Sequence, residues 1–204
     1  MTKSTAKFEM AEAIFRNHRG VLRTGQALEQ GIHPRDLYMM VDAGRLVRLS
    51  RGVYRLADMP PLGNPDLVTV SKRIPEGVIC TVSALAFHEI TTQIPHEVHV
   101  AVGRTAWSSP KIESPPIRVY RYTGPAFTEG IEEHRIDEFT VRIYGPEKSI
   151  ADAFKFRNRL GLDVALEALR LAKDSKKIKV SKLLEFARVC RVERVIRPYL
   201  EAML

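Results

Sequence analysis

The chain has 204 residues, of which 45% are hydrophobic and 27% are charged, a composition typical of globular proteins that excludes bulk disorder. Its 32 Lys and Arg residues exceed 24 Asp and Glu residues by a formal charge of +8, which favours an acidic partner such as nucleic acid. No uncharged apolar run approaches the roughly 20 residues of a membrane span, and two cysteines 110 positions apart exclude a disulfide scaffold. We therefore expect a cytoplasmic protein.

The charge is unevenly distributed along the chain. Residues 1–60 carry a net +4, residues 61–145 a net −2 and residues 146–204 a net +6. Two basic ends thus flank a slightly acidic middle, although an ordinary solvated surface also produces such asymmetry by chance.

A proline-rich stretch predicts where the chain divides. Residues 59–66 contain three prolines and a glycine, and proline fixes φ and lacks an N–H, so the stretch continues neither a helix nor a central strand. We predict a linker over residues 59–66 between a first domain, residues 1–58, and a second domain, residues 67–204.

The first domain is predicted to contain three helices followed by a β-hairpin. Apolar residues recur at helical spacing over residues 8–15, and a short helix begins at Thr24. Pro34 suits the first position of the third helix. Two β-prone runs, residues 45–50 and 53–56, then flank a glycine and predict the hairpin. This order is typical of a winged helix-turn-helix domain, with the hairpin as its wing.

The third helix is the element that enters the DNA major groove in such domains. Arg35 could read guanine O6 and N7, and Tyr38 or Met39 could touch a thymine methyl group. Wing arginines suit phosphates or the minor groove. The predicted DNA-contacting residues are Thr24, Gln26, His33, Arg35, Tyr38, Met39, Arg45, Arg48, Arg51 and Arg55. Against DNA binding, winged helices also bind proteins, and Asp36 and Asp42 on the same helix repel DNA.

The N-terminal segment resembles the corresponding domain of AbiEi-type antitoxins. The resemblance rests on the run G-I-H-P-R-D-L of residues 31–37 and on the wing pattern G-R-L-V-R-L-S-R-G-V-Y-R of residues 44–55. The wing pattern is specific, whereas a helix-turn-helix pattern alone would not be.

The sequence of the second domain predicts a small sheet followed by helices, so that the whole chain is expected to be of the α+β class. Residues 78–88 are predicted to form a short buried helix, and alternating apolar residues predict strands near residues 98–102, 117–119 and 139–143. Helices are expected over residues 146–157, 163–173 and 181–189 and around Pro198, where proline begins or kinks the last turn.

Parts of the second domain are also similar to the AbiEi family, namely residues 83–88, 99–102 and 141–155, so that the resemblance covers nearly the whole chain. It implies a non-enzymatic antitoxin from an abortive-infection, or phage-defence, operon that represses its own promoter by binding inverted repeats in double-stranded DNA. It further implies a chain that is monomeric in solution and pairs on DNA. The C-terminal domain is implied to neutralise a nucleotidyltransferase-like toxin without forming a stable complex. No cofactor is implied.

Two basic clusters in the second domain predict either a second functional surface, for neutralisation or nucleic acid, or ordinary solvated helix faces. The clusters are Lys148, Lys155, Arg157 and Arg159, and Lys176, Lys177, Lys179 and Lys182.

No metal or catalytic site is expected from the sequence. His96 and His99 are three positions apart in a predicted strand, which directs the imidazoles to opposite faces. Ser83 and His88 are interpreted as a helix-capping residue and a packed histidine. Two alternatives stay open: a winged-helix regulator whose second domain binds an effector or a protein, and a nucleic-acid-processing enzyme with an acidic Mg²⁺ site.

Overall fold

The computed structural model describes residues 3–104, 114–137 and 139–203, which form eleven helices and two β-sheets. Within these ranges the chain divides into two compact units. The first unit contains residues 3–75, 114–115, 135–137 and 139–140, and the second contains residues 76–104, 116–134 and 141–203. The expected linker, residues 59–66, therefore lies within the first unit, and the predicted domain limits stay predictions.

The first unit contains the three helices and the hairpin expected from the sequence. Its elements are α1 Lys3–Asn17, β1 Val21–Arg23, α2 Thr24–Glu29, α3 Pro34–Asp42, β2 Leu46–Ser50, β3 Val53–Leu56 and α4 Pro65–Arg73. The strands form an antiparallel sheet in the order β1-β3-β2. This arrangement fits a winged helix-turn-helix, and α4, which begins where the proline-rich stretch ends, was not predicted.

Local interactions explain why α3 begins and why the wing turns where they do. His33 Nδ1 accepts a hydrogen bond of 3.1 Å from the Arg35 backbone N–H, and Pro34 occupies the first turn, where no helical donor is lost. Gly52 turns the wing with φ +77°, a conformation that glycine adopts without steric cost. Apolar side chains of the helices and strands close the core under these elements: Phe15, Leu22, Ala27, Leu37, Met40, Leu46 and Leu56.

The second unit combines a mixed sheet with a series of helices. Its elements are β4 Val78–Ile79, α5 Thr81–Phe87, β5 Val98–Gly103, β6 Ile117–Tyr122, α6 Pro125–Thr128, α7 Pro146–Lys155, α8 Arg157–Leu160, α9 Leu162–Asp174, α10 Val180–Val189 and α11 Glu193–Met203, together with most of β7 Ile131–Ile136 and β8 Phe139–Tyr144. Residues 135–136 of β7 and residues 139–140 of β8 belong to the first unit. The strand order is β6-β5-β4-β8-β7. Strands β5 and β6 pair in parallel, as do β4 and β8, whereas β4 and β5 are antiparallel.

The second unit corrects one predicted element and adds others. Residues 78–88 are not a single helix, because Val78 and Ile79 pair with Ala101 and Val100 of β5 before α5 begins. The predicted strands near residues 98–102, 117–119 and 139–143 are present as β5, β6 and β8. Strand β7 was missed, because its sequence I-E-E-H-R-I has no apolar alternation. Among the described helices, none has the length and apolar character needed to cross a membrane.

Candidate nucleic-acid interface

A groove of about 490 Å³ in the first unit brings together five of the predicted DNA-contacting residues. They come from the start of α2, from α3 and from the wing: Thr24, Gln26, Tyr38, Arg48 and Arg51. The sequence reasoning missed Arg23, Arg73 and Tyr54, which also line this groove. With four arginines and Glu29 as its charged lining residues, the groove carries an excess of three positive charges, which suits a polyanion.

Backbone contacts hold the wing turn against the start of α2. The Thr24 backbone N–H donates to the Gly52 carbonyl oxygen at 2.9 Å. A Cβ atom at Gly52 would lie 3.3 Å from Thr24 Oγ1, so glycine permits this close approach as well as the turn. The Arg23 N–H donates to Gln26 Oε1 at 3.1 Å, and the Gln26 amide nitrogen is then the group that can donate to a ligand.

Helix α3 separates its core residues from its solvent-facing residues as its periodicity predicts. Leu37 and Met40 are buried, whereas Tyr38 and Met39 expose 59% and 38% of their surface. Arg35 is exposed as well. Large apolar and aromatic side chains are thus presented to solvent beside the groove, as contact with base edges requires.

Tyr54 lies beneath the groove, beside Thr24 and Tyr38. Burial raises the pKa of the Tyr54 hydroxyl, and the neighbouring Tyr38 raises it further. The hydroxyl therefore stays neutral and adds no negative charge beside the arginines. The tyrosine of the wing pattern was the available signal for this residue.

Three of the predicted contacts have other roles in the structure. Arg55 is buried rather than exposed, because its guanidinium donates to the carbonyl oxygens of Met59, at 2.6 Å, and Pro60. Arg45 forms an ion pair of 2.7 Å with Glu12 and does not line the groove. The His33 ring caps α3.

Of the four predicted wing arginines, only Arg48 and Arg51 therefore line the groove. The DNA contacts themselves stay predictions.

The first predicted basic cluster of the second unit is corrected at Lys148, which is completely buried and cannot belong to a surface. Its ammonium lies 2.6 and 2.8 Å from the two carboxylate oxygens of Asp152 and 4.0 Å from the centroid of the Tyr144 ring. Burial raises the pKa of Asp152, whereas the adjacent Lys148 favours the ionised carboxylate.

The other basic side chains of that cluster are partly engaged. Lys155 lies 4.9 Å from the centroid of the Tyr122 ring, and Arg157 donates to the Phe154 carbonyl oxygen at 2.9 Å. Arg159 is exposed.

In the second basic cluster, two of the four lysines form ion pairs with glutamates. Lys177 is 3.0 Å from Glu89, and Lys182 is 3.4 Å from Glu147. Lys176 and Lys179 are exposed. A second functional surface in this region stays a prediction.

His96 and His99, which the sequence places on opposite faces of a strand, have separate environments. His99 is buried, and its Nδ1 lies 2.7 Å from the Thr81 hydroxyl. Burial lowers the pKa of His99 to about 4, with a smaller contribution from Arg118. His96 is exposed, and the Ser83 hydroxyl accepts the His99 backbone N–H at 2.9 Å.

An exposed helix, a wing that carries arginines and a groove of positive charge fit the winged-helix class of transcriptional regulators. Residues 9–57 match a protein family described as "Transcriptional regulator, AbiEi antitoxin". This match confirms the resemblance expected from the sequence for the N-terminal segment, so that residues 9–57 are similar to the AbiEi-type antitoxin regulators.

A structural relative shares the fold over most of the chain. The crystal structure of the RV2827C protein from Mycobacterium tuberculosis aligns with a TM-score of 0.59 and 14% identity. The alignment covers 91% of this chain and 71% of the other. At this identity the likeness shows a common fold. The comparison with curated proteins yields no match.

Proposed function

We propose that this protein is a cytoplasmic antitoxin that represses its own operon and neutralises the toxin encoded beside it. The first unit binds inverted repeats in the promoter, and the second unit supplies the neutralising surface. The observation that carries the proposal is the basic groove, in which Arg48 and Arg51 of the wing join Tyr38 of α3 and Gln26 of α2. The family match over residues 9–57 supports the regulator role.

The groove suits a duplex because its parts correspond to the two components of DNA recognition. Guanidinium groups bind phosphates and provide affinity without sequence preference. The exposed side chains of α3, with Arg35 near its first turn, supply the contacts to base edges. Two copies on an inverted repeat then place their α3 helices about one helical turn of DNA apart.

Repression is tested by gel shift and by a reporter gene, both with the full chain. We expect retardation of the operon's own upstream DNA and reduced reporter expression, with both effects lost in the variant Arg35→Ala/Tyr38→Ala. Arg170→Ala, which changes an exposed arginine on α9, is the matched control and should behave as the unaltered protein. Equal binding to a scrambled sequence would contradict the operator assignment.

Neutralisation is tested separately, by co-expression with the neighbouring gene. We expect that gene to encode a nucleotidyltransferase-like toxin that arrests growth, and we expect this protein to restore growth without co-purifying with the toxin. Growth arrest that this protein does not relieve would refute the antitoxin half of the proposal. A chain that represses its promoter but fails in this assay would instead be a regulator whose second unit has another ligand.

A further inference from the structure

Two histidines and a glutamate of the second unit converge although they are distant in the sequence. Glu132 and His134 are two positions apart on β7, which places them on the same face of the strand. His88 directly follows α5. One donor atom from each residue lies within 4.8 Å of the other two. The three side chains are half-buried and line an open pocket of about 600 Å³.

We propose that His88, Glu132 and His134 bind a divalent transition-metal ion of the zinc type. In a tetrahedral zinc site with bonds of roughly 2.1 Å, neighbouring ligand atoms are about 3.4 Å apart. His134 Nε2 lies 3.2 Å from Glu132 Oε2, so this pair already has the separation of two ligands on one ion. Three protein ligands leave a fourth position for water from the pocket.

The hydrogen bond of His88 fixes which of its ring nitrogens keeps a lone pair. Its Nε2 atom lies 2.8 Å from the Tyr144 carbonyl oxygen, which can only accept a hydrogen bond. Nε2 therefore carries the proton and Nδ1 carries the lone pair. A backbone carbonyl that binds the second ring nitrogen is the usual partner of a metal-ligating histidine, because it fixes the tautomer and the orientation of the ring.

The Glu132 carboxylate is held over a glycine. A Cβ atom at Gly145 would clash with Glu132 Oε1, so any other residue at this position would displace the carboxylate. The backbone of Gly145 is fixed by a hydrogen bond, in which its N–H donates to the Gly130 carbonyl oxygen at 2.8 Å. The structure thus reserves space for the carboxylate at the position where it approaches His134.

The charges around the pocket also favour a cation. The ammonium groups of Lys177 and Lys182 are paired with Glu89 and Glu147, at 3.0 and 3.4 Å. The Glu132 carboxylate then remains as an excess negative charge beside two imidazoles. Imidazole and carboxylate ligands suit zinc, cobalt or nickel, whereas magnesium and calcium prefer sites made of oxygen atoms.

The experiment is a titration of the chelator-treated full chain with Co²⁺, followed by visible absorption, with Zn²⁺ added afterwards as the competitor. We expect one equivalent of Co²⁺ to bind and Zn²⁺ to displace it. The variants His134→Ala and Glu132→Gln should weaken binding at least tenfold. His96→Ala removes an exposed histidine outside the cluster and should leave the affinity unchanged.

A cysteine variant that gains an absorption band distinguishes the loss of a metal ligand from the loss of the fold. His134→Cys should add a thiolate-to-cobalt charge-transfer band in the near ultraviolet, and His96→Cys should not. This band requires residue 134 to contact the ion, so the result decides the matter even where the alanine variant unfolds. The proposal is overturned if Co²⁺ does not bind, if His134→Ala binds it as tightly as the unaltered chain, or if His134→Cys binds it without the band.

Discussion

The salt dependence of DNA binding should report how many wing arginines contact phosphates. The sequence offers four, but Arg55 is bound to backbone carbonyl oxygens and Arg45 to Glu12, which leaves Arg48 and Arg51 for the groove. Each phosphate contact contributes about 0.9 to the slope of log K against log salt concentration. The variant Arg48→Ala/Arg51→Ala should therefore lower the steepness of that slope by about 1.8.

The same slope gives the expected loss of affinity. If the two proteins bind equally at about 1 M salt, the double variant should bind about 60-fold more weakly at 0.1 M and about 18-fold more weakly at 0.2 M. The assay is fluorescence anisotropy with the operon's upstream DNA over a series of salt concentrations. Arg45→Ala serves as the control within the wing, since its guanidinium is paired with Glu12.

Two results would refute this reasoning. A double variant with an unchanged slope would show that the wing does not contact phosphates. A slope change for Arg45→Ala of about 0.9, half of that expected for the double variant, would show that the ion pair with Glu12 does not withhold Arg45 from DNA.

Three further predictions concern specificity and stability. Arg35→Ala should reduce discrimination at one base pair by about 1–3 kcal/mol in competition assays with single-base operator variants. It should leave the slope of log K against log salt concentration unchanged. Lys148→Met should lower the free energy of unfolding in urea by about 3–5 kcal/mol, because it leaves the Asp152 carboxylate buried and unpaired, whereas Lys148→Met/Asp152→Leu should lose much less. Lowering the pH from about 6.5 to about 4 should lower the free energy of unfolding by up to about 3 kcal/mol, because His99 takes up its proton in the unfolded chain at a higher pH than in the folded one. His99→Gln should flatten this pH dependence, and an equally steep curve for that variant would assign the effect to other groups.

Helices α1 to α3 and the hairpin of the first unit could be predicted because local signals specify them. Pro34 and the His33 cap begin α3, and the glycine of the wing allows its turn. The burial of Leu37 and Met40 and the exposure of Tyr38 also agree with the helical periodicity of α3. These features depend on neighbours within a few positions, which the sequence displays directly.

The environments of individual charged side chains could not be predicted in the same way. Arg48 and Arg55 belong to the same wing pattern, yet one lines the groove and the other is buried against carbonyl oxygens of the following segment. Lys148 looks like an ordinary exposed lysine until α7 is packed, when its ammonium lies beside Asp152 with no solvent contact. The difference comes from contacts that each side chain makes after the chain folds.

The sequence by itself determined the order of helices and strands around the wing, the family resemblance of the N-terminal segment and the sign of the charge, because periodicity, turn residues and composition are local or summed properties. The tertiary structure alone decided which of 32 basic residues line a groove, and it brought His88 next to Glu132 and His134 across 44 positions of the chain. A site made of distant residues depends on how strands and helices pack, and no local pattern records that packing.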